Sequence, residues 1–142
     1  MRVAVRTLVM ALALAAANAF PQSPAAAPTP EQERLRAIYR ELVEINTTDS
    51  SGSCTEAAEA MAKRLRAAGF PASDLRVIAP PGAPKKGNLV ARLRGTGARK
   101  PLLLLAHLDV VEAKREDWKR DPFKLVEEGG YFHARGASDD KA

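Results

Sequence analysis

Leu102-Leu103-Leu104-Leu105-Ala106-His107-Leu108-Asp109 is the stretch on which the reading of this chain turns. The apolar run from Leu102 to Ala106, opened by Pro101, is too short for a helix and has no polar side to turn to water. Such a run predicts a strand buried on both faces, in the middle of a sheet covered by helices. Side chains two apart on a strand share a face, so His107 and Asp109 are expected to project together from its carboxyl end. That end of a covered sheet is where α/β proteins place their ligands. A neutral imidazole there suits zinc, and a carboxylate two residues on can hold the ring or raise its basicity. The pair reads equally as a histidine that ends the strand, hydrogen-bonded to its aspartate.

Upstream of that run the periodicity is helical. Thr29-Pro30-Glu31-Gln32 predicts a helix start, with Thr as N-cap, Pro at the first position and Gln closing a capping box. Leu35, Ile38, Leu42 and Ile45 then keep a 3.6-residue period. A second helix is expected from about Thr55 to Ala68, with Ala58, Met61, Ala62 and Leu65 on its stripe and Gly69 and Pro71 ending it. Leu75–Ala79 and Asn88–Arg94 predict short strands, and Phe123–Glu127 with Tyr131–Ala134 flank Gly129-Gly130 as a hairpin. Helices followed by strands around a doubly buried centre indicate an α/β domain with a mixed sheet, its central strand covered by helices. No internal repeat is visible.

The first thirty residues differ from the rest. Arg2 and Arg6, the apolar Thr7–Ala17 and the Ala17-Asn18-Ala19 site together describe a secretory signal peptide over residues 1–19. The apolar stretch falls short of the roughly 18 residues a membrane-spanning helix needs. Residues 20–30 hold four of the ten prolines among Ala, Ser and Gln, the composition of an extended linker. The chain is therefore expected in the periplasm or outside the cell, with no stable membrane anchor. The formal charge of +5 includes Arg2 and Arg6 of the leader, and the remaining basic residues are interleaved with acids. That pattern excludes a nucleic-acid partner, which needs a concentrated basic face. Cys54 is the lone cysteine, so no internal disulfide is possible. It reads as a semi-buried small hydrophobe near a helix start, because no histidine neighbours it in sequence.

A second candidate for chemistry is Arg135-Gly136-Ala137-Ser138-Asp139-Asp140-Lys141. Small residues around Gly136 let the backbone come close to something, and the aspartates offer carboxylates to a cation. By itself the segment also reads as an exposed acidic loop balanced by Arg135 and Lys141. His133 reads as a packing or surface residue.

Three motifs in order, LLLLAHLDVV, then Trp118…Asp121-Pro122-Phe123, then Gly-Gly-Tyr-Phe-His-Ala-Arg-Gly-Ala-Ser-Asp-Asp-Lys, resemble a known signature. The chain is similar over residues 31–142 to the family of acetylornithine deacetylase, succinyl-diaminopimelate desuccinylase, aminoacylase and glutamate carboxypeptidase, dinuclear zinc hydrolases of amide bonds. One H-x-D is weak, but three motifs at this spacing are specific. The resemblance implies that His107 is a ligand to one zinc and Asp139 the carboxylate bridging two. It implies that Asp109 is the assisting catalytic acid beside the histidine, and that Trp118, Pro122 and Phe123 pack the loop leading back to the site. Ala134 and Ala142 stand where the family usually has glycine, and neither position supplies a ligand.

The resemblance puts the proton-transferring glutamate and the remaining zinc ligands well downstream of Asp139. Residues 31–142 are therefore expected to be the truncated N-terminal portion of a metallohydrolase catalytic domain, inactive by themselves. The complete protein is expected to be an exported zinc-dependent peptidase or N-acyl amino acid deacylase, with homodimerisation through a domain absent here. The rivals are a non-catalytic binding module that keeps the fold without the dinuclear chemistry, and a protein holding one metal ion on His107 and Asp139.

Overall fold

The computed structural model describes residues 27–139 and 141. The leader expected at 1–19 lies outside the described residues, as does most of the linker. Helix α1 (Pro30–Glu44) begins as its sequence predicts: Gln32 N donates to Thr29 Oγ1 at 3.3 Å and Thr29 N to Gln32 Oε1 at 2.9 Å. Helix α2 (Cys54–Ala67) is capped by Ser53, whose hydroxyl accepts from Glu56 N at 3.2 Å. Cys54 is its first residue and is half-buried, as expected of a small hydrophobe near a helix start. No helix among the described residues is long and apolar enough to cross a membrane.

Two antiparallel hairpins follow. In the first, β1 (Leu75–Ile78) pairs with β2 (Asn88–Ala91), in the register Leu75 to Ala91 and Ile78 to Asn88. Helix α2 packs on both strands. Its small residues Ala57, Ala58 and Ala62 are buried, as is Leu75 of β1. One further bond, Arg92 N to Asp74 O at 2.9 Å, ends the pairing, so β2 is shorter than the expected Asn88–Arg94. Arg94 instead turns back to clamp the buried Asp74 with two bonds of 2.7 and 2.8 Å.

In the second hairpin, β3 (Val126–Glu128) pairs with β4 (Tyr131–His133), with Glu128 opposite Tyr131. Gly129 and Gly130 make the two-residue loop with φ of +60° and +81°. Both values are positive, as the tight primed turn requires and as the glycine pair predicts. His133 is exposed on β4, a surface residue as read. The Tyr39 ring of α1 packs against Phe132 at 5.2 Å between centroids, and Arg40 and Glu44 bond the backbone of the buried Leu125.

The expected central strand departs from this pattern. Residues 102–106 belong to neither hairpin, and Leu102 to Leu105 are 77–85% exposed. The described sheets are two separate antiparallel pairs, not one mixed sheet with a covered centre. The reason is physical. A strand apolar on both faces has no preferred partner within a short span of chain, and needs strands on both edges and helices on both sides. Among the described residues nothing supplies them. Leu35 of α1, 66% exposed, shows the same deficit on the expected helical stripe. The two helices and antiparallel pairs make a small α/β unit.

Candidate metal centre

His107 and Asp109 lie outside any helix or strand after the leucine run, and Val110, next in the chain, is buried. The segment is fastened to the loop that follows α1. Thr47, fully buried, donates from Oγ1 to Leu108 O at 2.7 Å, and Val110 N donates to Thr47 O at 3.3 Å. The loop itself is braced by Asn46, whose Oδ1 accepts from Thr48 N and Thr48 Oγ1 at 2.9 and 2.8 Å. Further along, Ser50 donates twice to the Glu112 carboxylate, from N at 2.9 Å and from Oγ at 2.8 Å. These bonds hold Glu112 below its ordinary pKa.

The aspartate loop approaches from the other side. Gly136 is buried with φ +76°, and a Cβ there would stand 2.5 Å from Val110 Cγ1. Only glycine allows both the left-handed backbone and this close approach. Arg135 lies over the Trp118 ring at 4.9 Å and its N–H donates to Pro122 O at 2.7 Å, with Pro122 buried. The W-x-x-D-P-F stretch thus braces the base of the loop.

The result brings His107 and Asp139 together across 32 residues, with Nε2 and Oδ1 3.0 Å apart. Asp109 meets the ring mainly through its backbone. His107 Nδ1 lies 2.9 Å from Asp109 O, whereas the Asp109 carboxylate is 3.5 Å away. A carbonyl only accepts, so Nδ1 must carry the proton, and in the neutral ring Nε2 is left with its lone pair facing a carboxylate. Two electron-rich atoms at that distance call for a positive charge between or upon them. A proton is one answer: the bond to Asp139 first, then the Asp109 carbonyl, raise the His107 pKa above 6.5. A metal ion is the other. Two donors on a tetrahedral zinc at ordinary bond lengths stand about 3.3 Å apart, close to the separation found. The imidazole and carboxylate therefore fit one edge of a zinc site. No group of three or more metal-binding side chains occurs among the described residues.

A cavity of about 180 Å³ is lined by both His107 and Asp139, and an open one of about 320 Å³ is lined by His107 together with Asp49, Cys54, Lys86, Asn88 and Asp109 among others. Lys86 is bonded to Asp49 and lowers its pKa. Burial raises the Cys54 pKa, which disfavours a thiolate nucleophile despite the nearby histidine.

Lys141 contradicts its reading as a surface counter-charge. It is 7% exposed, and burial pushes its pKa down to about 8. Thr47, Tyr39 and Lys141 are the residues that sequence reasoning missed. Threonine in a polar loop and tyrosine on a helix carry no signal of their own. Lys141 sat in the motif, but its burial depends on a helix end distant in sequence.

Comparison with known proteins agrees with the motifs. Residues 103–142 match the family described as Peptidase family M20/M25/M40. The chain is 47% identical over 83 residues to succinyl-diaminopimelate desuccinylase of Methylobacterium sp. (strain 4-46), covering 57% of this chain and 20% of that protein. It is 34% identical over 114 residues to N-formyl-4-amino-5-aminomethyl-2-methylpyrimidine deformylase of Bacillus subtilis (strain 168), covering 78% of this chain and 26% of that one. It is 34% identical over 116 residues to Beta-Ala-Xaa dipeptidase of Lactobacillus delbrueckii subsp. lactis, covering 74% and 23% respectively. The chain thus spans about a quarter or less of the length of these relatives. The resemblance read from the three motifs agrees with the family match, which covers residues 103–142.

Proposed function

We propose that this chain is the N-terminal part of an exported, zinc-dependent hydrolase that cleaves amide bonds in peptides or N-acyl amino acids. The observation that carries the reading is the meeting of His107 Nε2 and Asp139 Oδ1 at 3.0 Å, each from a family motif. Desuccinylase, deformylase and dipeptidase, the names of the relatives, share one reaction type, the hydrolysis of an acyl–nitrogen bond.

In this reading His107 binds metal through Nε2, and the Asp109 carbonyl fixes the ring by accepting from Nδ1. By the family resemblance, the Asp139 carboxylate would be shared between two ions. The Asp109 side chain lends negative charge beside the imidazole and raises its basicity as a ligand. Bound zinc would polarise the scissile carbonyl and make water acidic enough to serve as nucleophile near neutral pH. A general base must take that proton and hand it to the leaving amine. The family resemblance places that role on a glutamate downstream of Asp139, and residues 20–142 by themselves are expected to be inactive. The leader motif at 1–19 supports export, and N-terminal sequencing of the secreted product should find Phe20 first.

The decisive experiment measures zinc content and turnover of N-acyl amino acids and dipeptides by the full-length gene product. Wild type should hold two zinc ions. His107→Ala should lose one, and Asp139→Ala should weaken both. Zinc binding without turnover of any such substrate would favour the non-catalytic module, and a single zinc ion in wild type would favour the mononuclear one. Two zinc ions and normal turnover in His107→Ala would remove His107 from the site.

A further inference from the structure

The His107 segment and the aspartate loop have no shared sequence neighbourhood, yet both are fastened to one element. Helix α1 and the three residues after it carry polar tethers to both segments. Thr47, three residues past the helix end, grips Leu108 and Val110 on either side of Asp109. Tyr39, five residues before that end, donates from Oη to Ala137 O at 2.6 Å, two residues ahead of Asp139. Lys141, two residues behind Asp139, donates from Nζ to Leu42 O at 2.9 Å and to Ile45 O at 3.0 Å.

The Lys141 contact has its own physical logic. The last carbonyls of a helix have no partner within it and gather negative charge. A helix commonly places a lysine or arginine in its final turn to meet them, but α1 has no basic residue there. Lys141 fills that role from almost a hundred residues away. Its partners among the described residues are these carbonyls and not a carboxylate. The Tyr39 hydroxyl is equally well aimed, because its ring is seated against Phe132.

We propose that Tyr39 and Lys141 are positioning residues for Asp139, pinning the aspartate loop at both ends to helix α1 so that its carboxylate meets His107 at metal-binding distance. The proposal rests on the metal reading above. The two clamps lie about one helical turn apart, from Tyr39 to Leu42, and the aspartate is suspended between them. Gly136 sets the depth to which the loop can descend on Val110, and the clamps set its place along the helix. Neither residue touches the reacting atoms.

The test uses the full-length gene product, with Tyr39→Phe, Lys141→Met and, as control, Arg36→Ala. Arg36, on the same helix, bonds Glu127 and lies over the Phe132 ring at 5.7 Å, and among the described residues it makes no hydrogen bond to the aspartate loop. Zinc affinity is read by competition with a chelator, and thermal unfolding is read on metal-free protein. Outer partners of metal ligands typically contribute about 10–100-fold in affinity. Tyr39→Phe should weaken zinc near the lower figure and Lys141→Met near the upper, with Arg36→Ala unchanged. Tyr39→Phe keeps the ring packing, so its unfolding midpoint should stay close to wild type while its zinc affinity falls, and it decides the matter should Lys141→Met fail to fold. Wild-type zinc affinity in Tyr39→Phe overturns the positioning role and leaves the metal reading standing. So does a loss that Arg36→Ala shares. Wild-type protein that takes up no zinc overturns the metal reading, and the positioning role with it.

Discussion

Asp74 and Asp139 each face a cationic or potentially cationic partner, and they are housed in opposite ways. Asp74, at the base of the first hairpin, is buried, and two N–H groups of Arg94 hold its carboxylate. Asp139, at the rim of the other half, is an exposed carboxylate that meets one ring nitrogen. The first is satisfied by the protein itself, a bidentate pair with both oxygens engaged. The second keeps acceptor capacity open to the outside. A carboxylate that only stabilises a fold gains from saturation, whereas one that serves a ligand must stay unsaturated until the ligand arrives.

Exchange of each acid for its amide should break the comparison most sharply. In the full-length protein, Asp139→Asn should lower turnover by more than the roughly 100-fold that a supporting partner costs, with little change in unfolding midpoint. Asp74→Asn should do the reverse, lowering the midpoint and leaving turnover alone. Metal analysis, kinetics and calorimetry on the two variants would undo the distinction if both lost activity together. A smaller effect is expected of Asp109→Asn. It keeps the backbone carbonyl that holds His107 Nδ1 and loses only the nearby charge, so turnover should fall by about 10–100-fold with zinc largely retained.

Gly136→Ala probes the approach of the two site segments. The left-handed backbone costs an alanine about 1–2 kcal/mol, and the Val110 methyl stands in the way of the new Cβ. Lower stability and weaker zinc binding should appear together. The mildest test is acid titration. The Arg94 guanidinium holds the Asp74 carboxyl below the ordinary 3.8. A depressed folded pKa means that the unfolded chain binds the proton first as pH falls. The stability Asp74 contributes is therefore present above pH 3.8 and lost as pH drops through its folded value. Asp74→Asn should flatten that part of the acid-unfolding profile, and an unchanged profile would show that the clamp contributes nothing.

The parts of this molecule that were legible in sequence are those whose causes lie close together in the chain. Thr29 and Gln32 cap α1 from three residues apart, and Gly129-Gly130 closes a hairpin alone. His107 and Asp139 were singled out for another reason, because three motifs in order resemble a family, and the structure brings these two side chains within 3.0 Å. The leucine run failed as a prediction of local structure because a doubly buried strand is defined by its neighbours. Lys141 failed similarly. A lysine beside two aspartates looks solvated until the open carbonyls of Leu42 and Ile45 are known to lie beside it.

The open leucine run also bears on how the chain fares in a crowded cell. An exposed apolar segment without strand partners is what molecular chaperones bind and what other copies of a chain adhere to. Here the segment is bracketed by Arg99, Lys100 and Pro101 before it and Asp109 after it. Charges and a proline in those places act as gatekeepers that slow edge-to-edge association without altering the apolar centre. Substitution of Arg99 and Lys100 would thus leave the site untouched, yet shorten the time this chain stays soluble before its leucines find cover.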